Sequence, residues 1–128
     1  MGTRSITQVL SEEGKPIVTM YRQMDGYLSG HGKELRYGFG EYDIINGISG
    51  GDNENKANGM GCFAAQVIAH FKEGIGNIYL VPNPKQREEY NYILSCKEYK
   101  IWVKVLGYDG NGLIYDGWLN EMPIIDED

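Results

Sequence analysis

The chain has 128 residues, 41% of them hydrophobic and 23% charged, with a formal charge of −6. That length supports one domain, 1–128, burying roughly two thirds of the surface its unfolded chain would expose, and the acidic balance excludes a general DNA- or RNA-binding protein, which carries a basic face. Two cysteines, Cys62 and Cys96, are too few for a disulfide scaffold, no run approaches the ~20 apolar residues of a membrane span, and the start MGTRS is no signal peptide.

In chain order, Ser5 to Leu10 (SITQVL) and Ile17 to Gln23 (IVTMYRQ) are β-prone, and Gly14 and Pro16 between them signal a hairpin turn. Val18, Met20 and Arg22 share one face of the second strand. Arg22 therefore emerges beside the next stretch, and Arg4 lies across the hairpin from the same end. That stretch, MYRQMDGYLSGHGKEL from Met20 to Leu35, crowds polar groups onto a backbone bent by Gly26, Gly30 and Gly32. Ser29 is placed to cap a short helix near residues 31–37, although the glycines make it a weak one.

Residues 47–61, GISGGDNENKANGMG, show no periodicity and read as a long loop. Cys62 to Lys72 is the clearest helix, with Phe63, Val67, Ile68 and Phe71 on one stripe and Gly74 as its stop. Small side chains at Cys62, Ala65 and Ala69 suggest burial on most sides. Asn77 to Val81, Tyr90 to Cys96, Tyr99 to Leu106 and Leu113 to Leu119 read as strands of an antiparallel meander. The acidic tail, 123–128, reads as solvated. The expected architecture is an α+β domain: a mostly antiparallel sheet of about six strands, hairpin plus meander, against one main and one short helix.

Two constellations stand out. Arg4, Arg22, Gln23, Asp25, Tyr27, Ser29 and His31 offer forked donors for a phosphate or carboxylate, with glycines admitting backbone N–H groups. Asn58, Met60 and the backbone up to Cys62 form a glycine-rich entry to a helix, a generic anion cradle that lacks the P-loop Lys-Ser/Thr. Their structural counterparts are an Arg22–Asp25 pair with tight turns, and a buried helix starting close to the sheet. Cys62 as a nucleophile lacks a base on its own helix, because His70 lies two turns away and about 80° around it. Asp52-Asn53-Glu54-Asn55 misses the register of a calcium loop, and the histidines and cysteines are too far apart for structural zinc. No metal or cofactor is expected. Tyr90, Tyr92 and Tyr99 read as core and rim rather than as a recognition surface.

The segments MGTRS, MYRQMDGYLSGHGKEL, NGMGCFAAQVIAHFK and IYDGWL together resemble a family of small uncharacterised proteins of bacteria and bacteriophages. That resemblance implies a bacterial or phage source, and a phage source brings the analogy of proteins that blunt host defences. The leading expectation is a non-enzymatic, cytoplasmic binding protein in a bacterial host cell. Its partner would be a small anionic, nucleotide-like ligand such as a host defence signal, bound where the arginine-bearing bend and the start of the main helix line one hollow. A protein-interaction module inhibiting a host factor is the alternative, and a small hydrolase using His31 and Asp25 the second. Self-association stays open.

Overall fold

The computed structural model describes residues 2–48, 51 and 53–126. Among them the elements run β1 (Ser5–Leu10), β2 (Pro16–Arg22), α1 (Lys33–Phe39), β3 (Asp43–Ile45), β4 (Lys56–Asn58) and α2 (Gly59–Phe71). They continue as β5 (Ile78–Leu80), β6 (Tyr90–Lys97), β7 (Lys100–Leu106) and β8 (Leu113–Trp118). The α+β class is as expected.

The sheet differs from expectation in strand number and in direction. Among the described residues eight strands form one sheet in the order β4-β3-β7-β6-β1-β2-β5, with β8 also paired to β7. It is mixed, because β1 runs parallel to β6 and β3 parallel to β4. The hairpin and the meander are thus joined edge to edge: β1 pairs β2 on one side and β6 on the other. Side-chain alternation decides which face of a strand is buried, but not which edges meet. A parallel pair also needs a long crossover, and the segment carrying both helices supplies it. β5 leaves the meander altogether and pairs β2, Tyr21 opposite Tyr79. The meander itself is β6-β7-β8, antiparallel throughout.

Two three-residue strands went unforeseen, β3 just before the expected 47–61 loop and β4 inside it, and both depend on their neighbours. Ile44 is buried and donates its N–H to the Tyr99 carbonyl at 2.8 Å, and Lys100 reaches Asp43 at 2.8 Å. Tyr99, expected inside a strand, sits in the β6–β7 turn, where Glu98 and Tyr99 both have positive φ, 54° and 64°. Two such residues are what a two-residue hairpin turn demands.

The inner face of the sheet carries Val9, Met20, Tyr92, Leu94, Ile101, Val103 and Val105, packed with Phe63, Val67 and Phe71 of α2 and with Leu35 and Phe39 of α1. α2 starts at Gly59, earlier than expected, and is not buried on most sides: Gly61, Ala65 and Ala69 are exposed. Small side chains leave a surface that nothing in the described chain covers. Its end is closed by Asn77 rather than Gly74. The Asn77 side chain accepts N–H bonds from Glu73 at 3.3 Å and Gly74 at 3.4 Å, and donates to the Phe71 carbonyl. Among the described residues no helix is long and apolar enough to cross a membrane.

Candidate functional site

After β2 the backbone turns at Asp25, which holds a left-handed φ of 62°, a conformation that Asp tolerates better than most residues. Gly26 then passes hard against β1. A Cβ there would lie 2.7 Å from that of Ser5, while its carbonyl accepts the Tyr92 hydroxyl at 2.7 Å. A π-helical turn, Leu28–Gly32, follows and leads into α1. The turn is tied to Asp25 by the His31 N–H, 2.7 Å from the Asp25 carbonyl oxygen, and a Cβ on Gly30 would come within 2.5 Å of that same oxygen.

This fold carries His31 into the interior, where it is 0% exposed. Its ring lies 4.6 Å from that of Phe71 and 5.1 Å from that of Tyr92, centre to centre. Nε2 is 2.5 Å from Thr7 Oγ1, and Nδ1 is 3.1 Å from Arg22 Nη1. A guanidinium only donates, so Nδ1 accepts, and the ring proton sits on Nε2 and goes to Thr7. Burial, then the charge of Arg22 and then that of His70 lower the His31 pKa to about 3, so the ring is neutral. With both nitrogens engaged inside the chain, His31 supports Arg22 and offers no free lone pair to a substrate.

Arg22 is thereby fixed. Nη2 lies 3.3 Å from Glu34 Oε1 and 3.9 Å from Asp25 Oδ2, and the guanidinium carbon stands 5.8 Å from the centre of the Phe71 ring. Its side chain is 16% exposed, and that exposed part faces a hollow of about 280 Å³. Gln23, Met24, Asp25 and Glu34 line it on one side; Phe71, Glu73, Gly76, Asn77 and Ile78 line it on the other. The volume lies just below the roughly 300–1,000 Å³ usual for ligand sites. Asp25, Glu34 and Glu73 give the lining three carboxylates against one guanidinium. The C-terminus of α2, which carries the negative end of the helix dipole, adds to that sign.

The structure gathers Arg22, Gln23 and Asp25 at this hollow. Arg4 turns away, with Nε 3.7 Å from Glu89 and 3.9 Å from Glu88. Tyr27 is not part of the lining; it donates to Asp25 Oδ1 at 3.1 Å, which raises the tyrosine's own pKa. Ser29 caps no helix; it and Leu28 are themselves capped, their N–H groups lying 2.7 and 2.9 Å from the Asp126 carboxylate oxygens. Burial alone would raise the Asp126 pKa, but the bonds from Ser29, Leu28 and Tyr90 prevail and lower it.

Asn58 and Met60 stand elsewhere. The hollow touches the end of α2, and Met60 is about 16 Å away along the helix at 1.5 Å per residue. The expected anion cradle at that start holds a side chain of the protein itself: Glu12 Oε2 accepts the Met60 N–H at 2.8 Å. Asn58 Oδ1 accepts the Gly47 N–H at 2.7 Å. The bend and the helix start therefore do not line one hollow.

Sequence reasoning missed Thr7, Glu34, Phe71, Glu73 and Asn77. Thr7 lies in a β-prone run where nothing marks it out, and Phe71 ends an apolar stripe and so read as core. Glu73 and Asn77 follow a helix end with no local signal of the hollow. Among the described residues no three His, Cys, Asp or Glu side chains converge as a metal site. Asp52 of the calcium-like stretch and the last two acids of the tail lie outside the described residues. No protein-family model matches the chain, and neither a curated protein nor a solved structure matches it.

Proposed function

We propose that the protein is a non-enzymatic binding module that captures a small organic cation, a primary amine or guanidine, in the hollow beside Arg22. The observation that carries this reading is the charge of the lining: Asp25, Glu34 and Glu73 share it with one guanidinium, which is already engaged by His31 and Glu34. A polyphosphate entering there meets three carboxylates and one arginine whose donors are partly committed, so the anionic, nucleotide-like ligand fits the hollow less well than a cation does. The negative end of α2 favours the same sign. Arg22 is then an internal rehearsal of the occupant, a cation held by carboxylate and ring. The same chemistry would read a lysine or arginine side chain of a partner protein, which keeps the host-factor alternative within one mechanism. If the motifs place the chain in a phage, the captured amine belongs to its bacterial host.

Calorimetric titration of agmatine, spermidine and ATP into the protein tests this. Agmatine or spermidine is expected to bind, and Glu34→Gln or Glu73→Gln to weaken it by roughly tenfold each, the value of one charge-assisted hydrogen bond. Binding of ATP but not of the amines, lost in Arg22→Ala, would restore the anionic ligand. Silence from all three at millimolar concentration would remove the ligand reading.

A further inference from the structure

The turn that seats His31 is capped from far along the chain. Its N-cap residue Tyr27 makes no side-chain cap bond, yet the first N–H groups of a helical turn need acceptors. Asp126, 98 residues beyond Leu28 and 97 beyond Ser29, provides them: Oδ2 takes the Leu28 N–H and Oδ1 the Ser29 N–H. Oδ2 also accepts the Tyr90 hydroxyl at 3.2 Å. Just upstream the chain is firmly anchored, because Met122 is 0% exposed and its carbonyl accepts Arg36 Nη1 at 2.8 Å. Beyond Met122 the anchoring stops. Pro123 and Ile125 are exposed, Ile125 by 77%. Ile124 between them is half-buried, so the segment 123–126 is held by part of one apolar side chain and by the Asp126 carboxylate. Segments with few buried apolar contacts open at low cost without unfolding the core.

We propose that residues 123–126 form a latch: the Asp126 carboxylate, docked on the Leu28 and Ser29 amides, orders the turn that holds His31 against Arg22, and its release loosens that arginine at the wall of the hollow. The chain of contact is continuous. Asp126 caps Leu28 and Ser29; the turn they begin ends at His31 and Gly32; His31 Nδ1 accepts from Arg22 Nη1. The latch is defined by bonds within the chain and acts whatever the hollow binds.

Amide exchange followed by NMR on the full-length protein and on Asp126→Asn tests it. The amides of Leu28, Ser29 and His31 are expected to exchange at least about tenfold faster in the variant, and the Arg22 Nε–H signal to broaden. Exchange in β6 and β7 stays as in the parent protein. Tyr90→Phe keeps the carboxylate and removes one of its donors, so the same amides should speed up by a smaller factor. Unchanged exchange at Leu28 and Ser29 in both variants overturns the latch. So does a uniform loss of protection through the sheet, which would make Asp126 a general prop. So does a loosened turn with Arg22 and His31 unaltered, which would break the coupling.

Discussion

The neutrality of His31 gives the fold a measurable acid dependence. Its ordinary pKa of 6.5 falls to about 3 in the folded chain. Below pH 6.5 the unfolded chain takes up a proton on this ring and the folded chain does not, so stability present at neutral pH drains away as pH falls toward 3. Each unit of the gap amounts to about 1.4 kcal/mol. Between pH 7 and pH 4.5 the ring alone should cost roughly 2 to 3 kcal/mol, and the full loss approaches about 5 kcal/mol. That is a large part of the roughly 5–15 kcal/mol holding a typical domain together. His31→Gln removes the titrating group while leaving an amide that can still donate toward Thr7. Urea denaturation of both proteins at pH 7, 6, 5 and 4.5 isolates the ring, because carboxylates such as Asp126 contribute to both curves. The parent protein should lose about 1 kcal/mol per pH unit more than the variant below pH 6. Parallel curves would show that the ring titrates like a solvated histidine and that the arrangement with Arg22 and Thr7 is not populated.

Other perturbations read other links. Glu12→Ala removes the acceptor of the Met60 N–H and should cost about 0.5 to 2 kcal/mol in urea denaturation, the range for a helix cap; no loss would mean that water caps α2 equally well. Gly30→Ala places a methyl 2.5 Å from the Asp25 carbonyl oxygen, and should lower stability by about 1 to 3 kcal/mol with chemical-shift changes centred on residues 25–32. A neutral outcome would show that the turn has room it does not display. Tyr92→Phe deletes the hydroxyl that donates to the Gly26 carbonyl at 2.7 Å, and calorimetric melting should report about 1 to 2 kcal/mol lost.

How far the sequence reaches can be judged from single residues. The faces of β2, β6 and β7 follow from alternation, and Met20, Tyr92, Leu94, Val103 and Val105 are buried as that pattern implies. Phe63, Val67 and Phe71 are buried on α2 as their spacing implies. Pairing partners are another matter. Nothing in SITQVL states that it runs parallel to Tyr90–Leu94, since a parallel neighbour is chosen by the crossover between them. The bend was legible as a dense polar stretch, and Arg22 does reach a hollow there. What escaped was the fate of each polar group. His31 looked like a surface donor and is a buried prop, because Thr7, Phe71 and Tyr92 enclose it from three other elements. Ser29 has the side chain of a helix cap, yet Asp126 serves instead from the far end of the chain. Glu12 likewise takes the helix start that looked open to an anion. Long-range partners of this kind leave no trace in local spacing.

A neutral imidazole holds Arg22 at the wall of the hollow. Nitrogen NMR of the His31 ring between pH 8 and pH 4.5 tests that directly. The expected spectrum shows a proton on Nε2 and an unprotonated, hydrogen-bonded Nδ1 across the whole range. An imidazolium at pH 6, or a proton on Nδ1 at pH 8, would contradict it.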